Sequence, residues 1–316
     1  MRNAGVRRIN NAVRRLDFAL VENELNPPDG SDGTLFELCA ATRDDWNRYV
    51  QSENQALGSR WMAWWDDKVF IVDLPTALHE VLFDAVRRAI TEATGTGVTH
   101  LACYGATYIG DNVTLPDDIR AIIANLEPDC SFGPDPGAVL PPGFMWEEFQ
   151  TLKVEVGVSQ GWGARVERGQ AGQQGQQREA GQRRLATLNE KANAWRLCPG
   201  VEYVLCIRIS RGLRVREYRL DSIVNGQFED PNMQPAPIEN NTVIQFDPWR
   251  LLGIPQGRAL PAGFNNPVQF NLLNAVERII QREQRDIDFL QAQAAADDDD
   301  VGEPPRRRHR LHQPNA

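Results

Sequence analysis

Apolar residues recur at three- and four-residue spacing through Val6, Ile9, Val13, Leu16 and Leu20, a period that predicts a helix over 7–25. Asn26-Pro-Pro-Asp-Gly-Ser-Asp-Gly33 then breaks the chain. The segment 35–56 reads as one or two short helices. Trp61–Trp65 and Val69–Asp73 read as short strands around an Asp66-Asp67-Lys68 turn that contains no glycine. The clearest helix covers 74–94, where Leu78, Val81, Leu82, Ala85, Val86, Ala89 and Ile90 form one apolar face and Gly95 supplies a stop.

Strands follow over 100–109 and around Asp129-Cys-Ser-Phe132, with a short surface helix over 116–126 between them. The segment 149–158 becomes apolar on both faces in its second half, as a central strand requires. Gln170-Ala-Gly-Gln-Gln-Gly-Gln-Gln177 has no apolar period and reads as a flexible loop inside an insert over 163–184. A helix resumes over 185–195, and Tyr203–Ile209 and Val215–Leu220 read as two strands joined at Arg211-Gly212. Another strand is expected near Val243–Phe246, and a long helix over 268–296. The charged, Pro-containing stretch 297–316 lacks the apolar content to fold.

These patterns give an α/β (α+β) fold with a mixed central sheet flanked by helices. The expected divisions are an N-terminal helical segment 1–58, a core 59–255, a C-terminal helix 256–296 and a disordered tail 297–316. The C-terminal helix packs either on the core or on a partner, so a dimer through it is one expectation.

Composition narrows the function classes. The 316 residues suffice for a sizeable core, and 41% hydrophobic with 24% charged residues is ordinary for a globular chain. No apolar run approaches the ~20 residues of a membrane span, and Met1–Arg8 lacks the apolar core of a secretory signal. Five cysteines, at 39, 103, 130, 198 and 206, show neither pairing nor zinc spacing. Cys103 and Cys206 fall in apolar runs and read as buried thiols, which points to a reducing, intracellular compartment. The net charge of −9 gives no overall basic footprint for nucleic acid. Basic residues do gather within 163–184 and at Arg306-Arg-Arg-His-Arg310, the latter readable as a nuclear-localisation patch or as a solvated tail. No Gly-x-Ser-x-Gly, P-loop or Rossmann fingerprint appears in a suitable context.

The chemistry-bearing stretch is Pro128-Asp129, then Lys153-Val-Glu155-Val-Gly-Val-Ser159-Gln160, then Lys191-Ala-Asn-Ala-Trp195, then Val201–Ile209. It puts carboxylates at the ends of neighbouring apolar strands and an amine on the element between strands. A carboxylate inside an apolar central strand needs a cation, metal or water beside it. Hard oxygen donors suit Mg²⁺, which keeps several waters and can activate one beside a phosphodiester. Taken singly, Asp129 also serves as a turn-opening Asp after Pro, Glu155 as half of a structural ion pair, and Lys191 as an ordinary helix lysine.

In this order the residues resemble the PD-(D/E)XK nuclease superfamily, and more narrowly the Uma-type restriction-endonuclease family and its fungal relatives. There a "val-Glu-val-Gly-val-Ser-Gln" strand runs into a helix carrying a lysine and an aromatic. The resemblance covers residues 60–220 and implies a Mg²⁺- or Mn²⁺-dependent phosphodiester hydrolase acting on DNA. It implies that Asp129 and Glu155 bind metal, with Lys191 and Gln160 orienting water and stabilising charge. It also implies a supporting residue on the first core helix, for which His79 at the edge of the apolar face is the candidate; a plain helix-start histidine is the other reading. The chain departs from the superfamily at Gly157, where the lysine two residues after the strand acid is usual. Lys191 or Gln160 must replace it, with Lys153 a lesser substitute on the Glu155 strand face. The alternative is a catalytically inactive nuclease-fold module that binds nucleic acid or protein.

Overall fold

The computed structural model describes residues 4–26, 35–106, 126–135, 140, 144–163 and 187–300, with side chains up to 293 except Glu147. The chain is α+β, with mixed sheets and helices. Among the described residues no helix is long and apolar enough to cross a membrane.

The first part contains α1 (Ala4–Arg14), α2 (Phe18–Leu25), β1 (Phe36–Ala40), α3 (Arg43–Val50), β2 (Met62–Trp65) and β3 (Lys68–Ile71). Asp66 and Asp67 adopt φ of 49° and 56°, so the β2–β3 turn closes without glycine. Aspartate tolerates this left-handed backbone because its side chain bonds locally. β1 adds to β3 antiparallel, Phe36 opposite Ile71, giving the order β1-β3-β2. The expectation of helix alone over 35–56 is thereby corrected: its first residues form a strand and only α3 is helical. A run as short as Leu35-Phe-Glu-Leu-Cys-Ala fits either period, and the free edge of β3 decides it. Ile9, Val13 and Val21 share a buried cluster with Trp61, Val69 and Ile71. The β2–β3 hairpin, grouped by sequence with the core 59–255, therefore packs with the N-terminal helices.

The main sheet follows α4 (Ala77–Ala93), whose first turn is capped by Thr76 Oγ1 accepting from His79 N at 3.1 Å. Its strands are β4 (Leu101–Cys103), β5 (Cys130–Pro134), β6 (Leu152–Gly157), β7 (Tyr203–Ile209), β8 (Arg216–Val224), β9 (Gln227–Phe228) and β10 (Ala236–Pro237). Spatial order is β10-β8-β7-β6-β5-β4, with β9 beside β8. All pairs are antiparallel except β6–β7, which are parallel and joined through α5 (Leu188–Trp195). A parallel pair needs such a crossover.

Period-two alternation gives the sheet two distinct faces. Val154, Val156, Leu205 and Ile207 pack with Leu82, Val86 and Ile90 of α4. Val204 and Cys206 face Leu188, Ala192 and Trp195 of α5. A small antiparallel pair, β11 (Val243–Phe246) and β12 (Val268–Asn271), flanks the short α6 (Pro248–Leu251) and leads into α7 (Leu272–Asp300). The expected helix 268–296 is corrected at both ends. Its first turn is strand, because it pairs with β11 and Asn271 Oδ1 then accepts from Asn274 N at 2.8 Å to start the helix. Helix also continues through 297–300, residues expected to be disordered. The surface helix over 116–126, the glutamine-rich stretch 170–177 and the basic cluster 306–310 lie outside the described residues, Leu126 excepted.

Candidate active site

Glu155 sits in mid-β6 with no exposed surface. Trp195 Nε1 donates to its Oε1 at 2.5 Å, and Lys191 Nζ lies 2.8 Å from its Oε2. Lys191 and Trp195 are four residues apart, so a helix presents both on one face over the β6 carboxylate. The capping box of α5 fixes where that helix begins. Thr187 Oγ1 accepts from Glu190 N, and Glu190 Oε2 accepts from Thr187 N at 3.1 Å.

Asp129 lies one residue beyond the Cys130–Val154 pair of the β5–β6 ladder, which brings it across from Glu155. Its Oδ2 accepts from Val156 N at 2.7 Å, and its Oδ1 is 3.2 Å from His79 Nε2. His79 is 2% exposed and packs edge-on against Trp61, with ring centroids 4.6 Å apart. His79 thus belongs to the cluster, whereas its neighbour Glu80 is exposed.

Asp73, which the sequence reading did not single out, is a third acid here. It is 2% exposed, its Oδ1 accepts from Leu74 N at 2.8 Å, and it interacts with Ser159, His79 and Lys191. The signal that would have found it is the one that found Glu155: a carboxylate inside an apolar run, here Val72-Asp73-Leu74. Asn26 Nδ2 donates to Ser159 Oγ at 2.8 Å and ties the end of the N-terminal helices to the same place.

Burial and charge act in opposite directions across this cluster. Burial pushes the Glu155 carboxyl up to about 7 even though Lys191 pulls it down. Burial also opposes charge on Asp129, but His79, Lys191 and the Val156 N–H outweigh it and hold that carboxyl at about 2. His79 and Lys191 are both pushed above their ordinary values, because the acids beside them overcome their desolvation. Burial raises Asp73.

Position 157 has little room for a side chain. A Cβ there would lie 2.8 Å from the Gln160 carbonyl oxygen and 3.2 Å from Leu188 Cδ1. Chain and helix occupy the space a side chain there would need, and the amine that contacts Glu155 comes from Lys191 on α5. Gln160 is 3% exposed, and its Oε1 has no hydrogen-bond partner among the described residues. Lys153 is fully buried, donates to Gln150 Oε1 and stands 4.5 Å from the centroid of the Trp195 ring. Its ammonium is thus turned to the indole, while Lys191 contacts the carboxylate. A second buried pair supports α5: Arg219 reaches Asp221 Oδ2 at 2.7 Å and Asn189 Oδ1 at 2.5 Å.

The oxygen donors a divalent cation would use here come from three side chains. Asp129 and Glu155 offer hard oxygens, and the Gln160 amide oxygen is a buried acceptor lacking a partner among the described residues. No group of three or more His, Cys, Asp and Glu suited to hold a metal occurs among the described residues. Mg²⁺ does not require one, since one or two carboxylates with water and substrate phosphate suffice. The chain matches no family model, no curated protein and no solved structure.

Proposed function

We propose that this site is the centre of a PD-(D/E)XK-type, Mg²⁺-dependent phosphodiester hydrolase that acts on DNA. The observation that carries the reading is the convergence of Asp129, Glu155 and Lys191 at the β5–β6–α5 junction. Residues 26, 62 and 36 positions apart in sequence meet there in the order and on the elements that the resemblance implies. Asp129 and Glu155 would hold the ion; Mn²⁺ suits the same oxygens. Once bound, the ion supplies charge neutralisation at phosphate and an acidified water. Lys191 holds Glu155 in place and adds a positive charge for the developing phosphorane. His79, packed on Trp61, fixes Asp129 and leaves its carboxylate ionised, and the buried Trp195 indole covers Glu155.

A second reading, a nuclease-fold module without catalysis, is favoured by one observation: both Glu155 oxygens are already engaged, by Lys191 and by Trp195. Purified protein incubated with supercoiled plasmid and with single-stranded DNA, in Mg²⁺ and in Mn²⁺, separates the two. Cleavage abolished by chelator, by Glu155→Gln and by Asp129→Asn, with folding retained, supports the hydrolase. Folded wild-type protein that cleaves neither substrate in either metal overturns it, and DNA binding measured by fluorescence anisotropy then tests the module.

A further inference from the structure

Cys103 on β4 and Cys130 at the start of β5 are 27 residues apart and show no sequence spacing that would pair them. The antiparallel ladder brings them together. Cys103 lies opposite Phe132, and Cys130, two residues from Phe132, shares its side of the strand. Their sulfurs are 3.3 Å apart. A disulfide is about 2.0 Å long, so closure needs side-chain rotation over little more than an ångström. The two thiols differ in access: Cys130 is 1% exposed, whereas Cys103 is half-buried and reachable. The Cys103 sequence expectation of a buried thiol is corrected accordingly; Cys206 is fully buried as expected.

We propose that Cys103 and Cys130 form a redox-active pair that hydrogen peroxide oxidises to an intramolecular disulfide. The Cys103 thiolate attacks the peroxide oxygen, the O–O bond breaks, and Cys103 becomes a sulfenic acid as hydroxide leaves. The Cys130 sulfur then attacks the sulfenic sulfur, an S–S bond forms, and the sulfenic oxygen departs as water with the Cys130 proton. One peroxide is reduced to two waters as two thiols become one disulfide. The remaining chemistry of the pair favours this division of roles. A hydrogen bond from Cys130 brings the Cys103 thiol down to about 6, with Arg87 of α4 assisting. By contrast, burial pushes the Cys198 thiol up to about 12 and also raises Cys206, which leaves both as inert thiols. In a reducing compartment such a bond is transient, formed under oxidant and reversed by dithiols. The inference stands whether or not the carboxylate site is catalytic.

The test is peptide mapping of the full folded chain after dilute hydrogen peroxide, with free thiols alkylated before digestion. The expected result is a linked peptide joining Cys103 and Cys130 that dithiothreitol dissolves. In Cys130→Ser the link is lost and dimedone labels Cys103 as the trapped sulfenic acid; in Cys103→Ser the link is lost and Cys130 stays a thiol. The wild-type measurement decides alone if a variant fails to fold. Wild-type protein in which Cys103 is oxidised to the sulfinic acid, or stays alkylatable, without the linked peptide overturns the proposal.

Discussion

At the scale of single residues, the Glu155–Lys191 pair governs the site because both charges are buried, Glu155 fully and Lys191 to 6% exposure. Removing one partner of a buried pair leaves the other uncompensated, at a cost of about 3–5 kcal/mol. Lys191→Met should therefore destabilise the fold by that order at pH 8. Its pH dependence follows from Glu155, whose folded carboxyl stands at about 7 against an ordinary 4.5. A raised acid contributes stability that is complete below its unfolded value and lost as pH rises through its folded value. Without Lys191 the Glu155 value rises further, so the variant's deficit grows above pH 7 and shrinks at pH 6, where the carboxyl takes a proton. Urea unfolding at both pH values measures this; an equal deficit at each would refute the electrostatic account. Cys103 offers a separate titration. Alkylation of the native protein by iodoacetamide should reach half its maximal rate near pH 6, and a midpoint at the ordinary ~8.5 would show that no thiolate is stabilised there. The sequence exposed Glu155 because its neighbours are apolar on both sides. It concealed the Cys103–Cys130 contact and the reach of Arg219 to Asn189, since those partners come from ladders and crossovers that no local spacing encodes.

At the scale of elements, α5 is the part whose placement matters most to the site. It has only eight residues, too few to persist without tertiary support, so its start is set by the Thr187–Glu190 capping box and by Arg219 holding Asn189. Thr187→Ala should cost about 1 kcal/mol and loosen Lys191 over Glu155. A fall in thermal midpoint accompanied by broader Trp195 fluorescence would agree, and an unchanged midpoint would mean that Arg219 alone sets the helix. Placing a lysine at position 157 by Gly157→Lys should not strengthen the site. Overpacking against the Gln160 carbonyl and Leu188 costs about 1–3 kcal/mol, and a stable variant in urea unfolding would show that the strand can yield. Long periodic elements such as α4 were legible from the sequence because their apolar faces repeat over many turns. β1 and β12 were not, because each is a short apolar run whose identity depends on the strand it meets, β3 in one case and β11 in the other.

At the scale of the whole molecule, α7 is divided into a docked and an undocked half. Leu272 and Val276 are fully buried, and Ile279 and Ile280 pack on the core beside α4. Further along, Phe289 and Leu290 are 69% and 63% exposed, and the dimer expected through this helix would rest on them. Exposed residues that touch nothing contribute within about 0.5 kcal/mol, whereas truncating a buried leucine costs about 2–5 kcal/mol. A chain ending at Arg285 should thus unfold in urea at nearly the wild-type midpoint, and Leu272→Ala should fall well below it. The comparison also tests the dimer, because association stabilises by mass action and makes the midpoint depend on protein concentration. If the truncated chain loses stability and that loss grows with concentration, a second copy covers Phe289 and Leu290 in the intact protein. If the midpoint is unchanged at every concentration, the distal half of α7 adds nothing to folding or to self-association, and the stable molecule ends where the helix leaves the core.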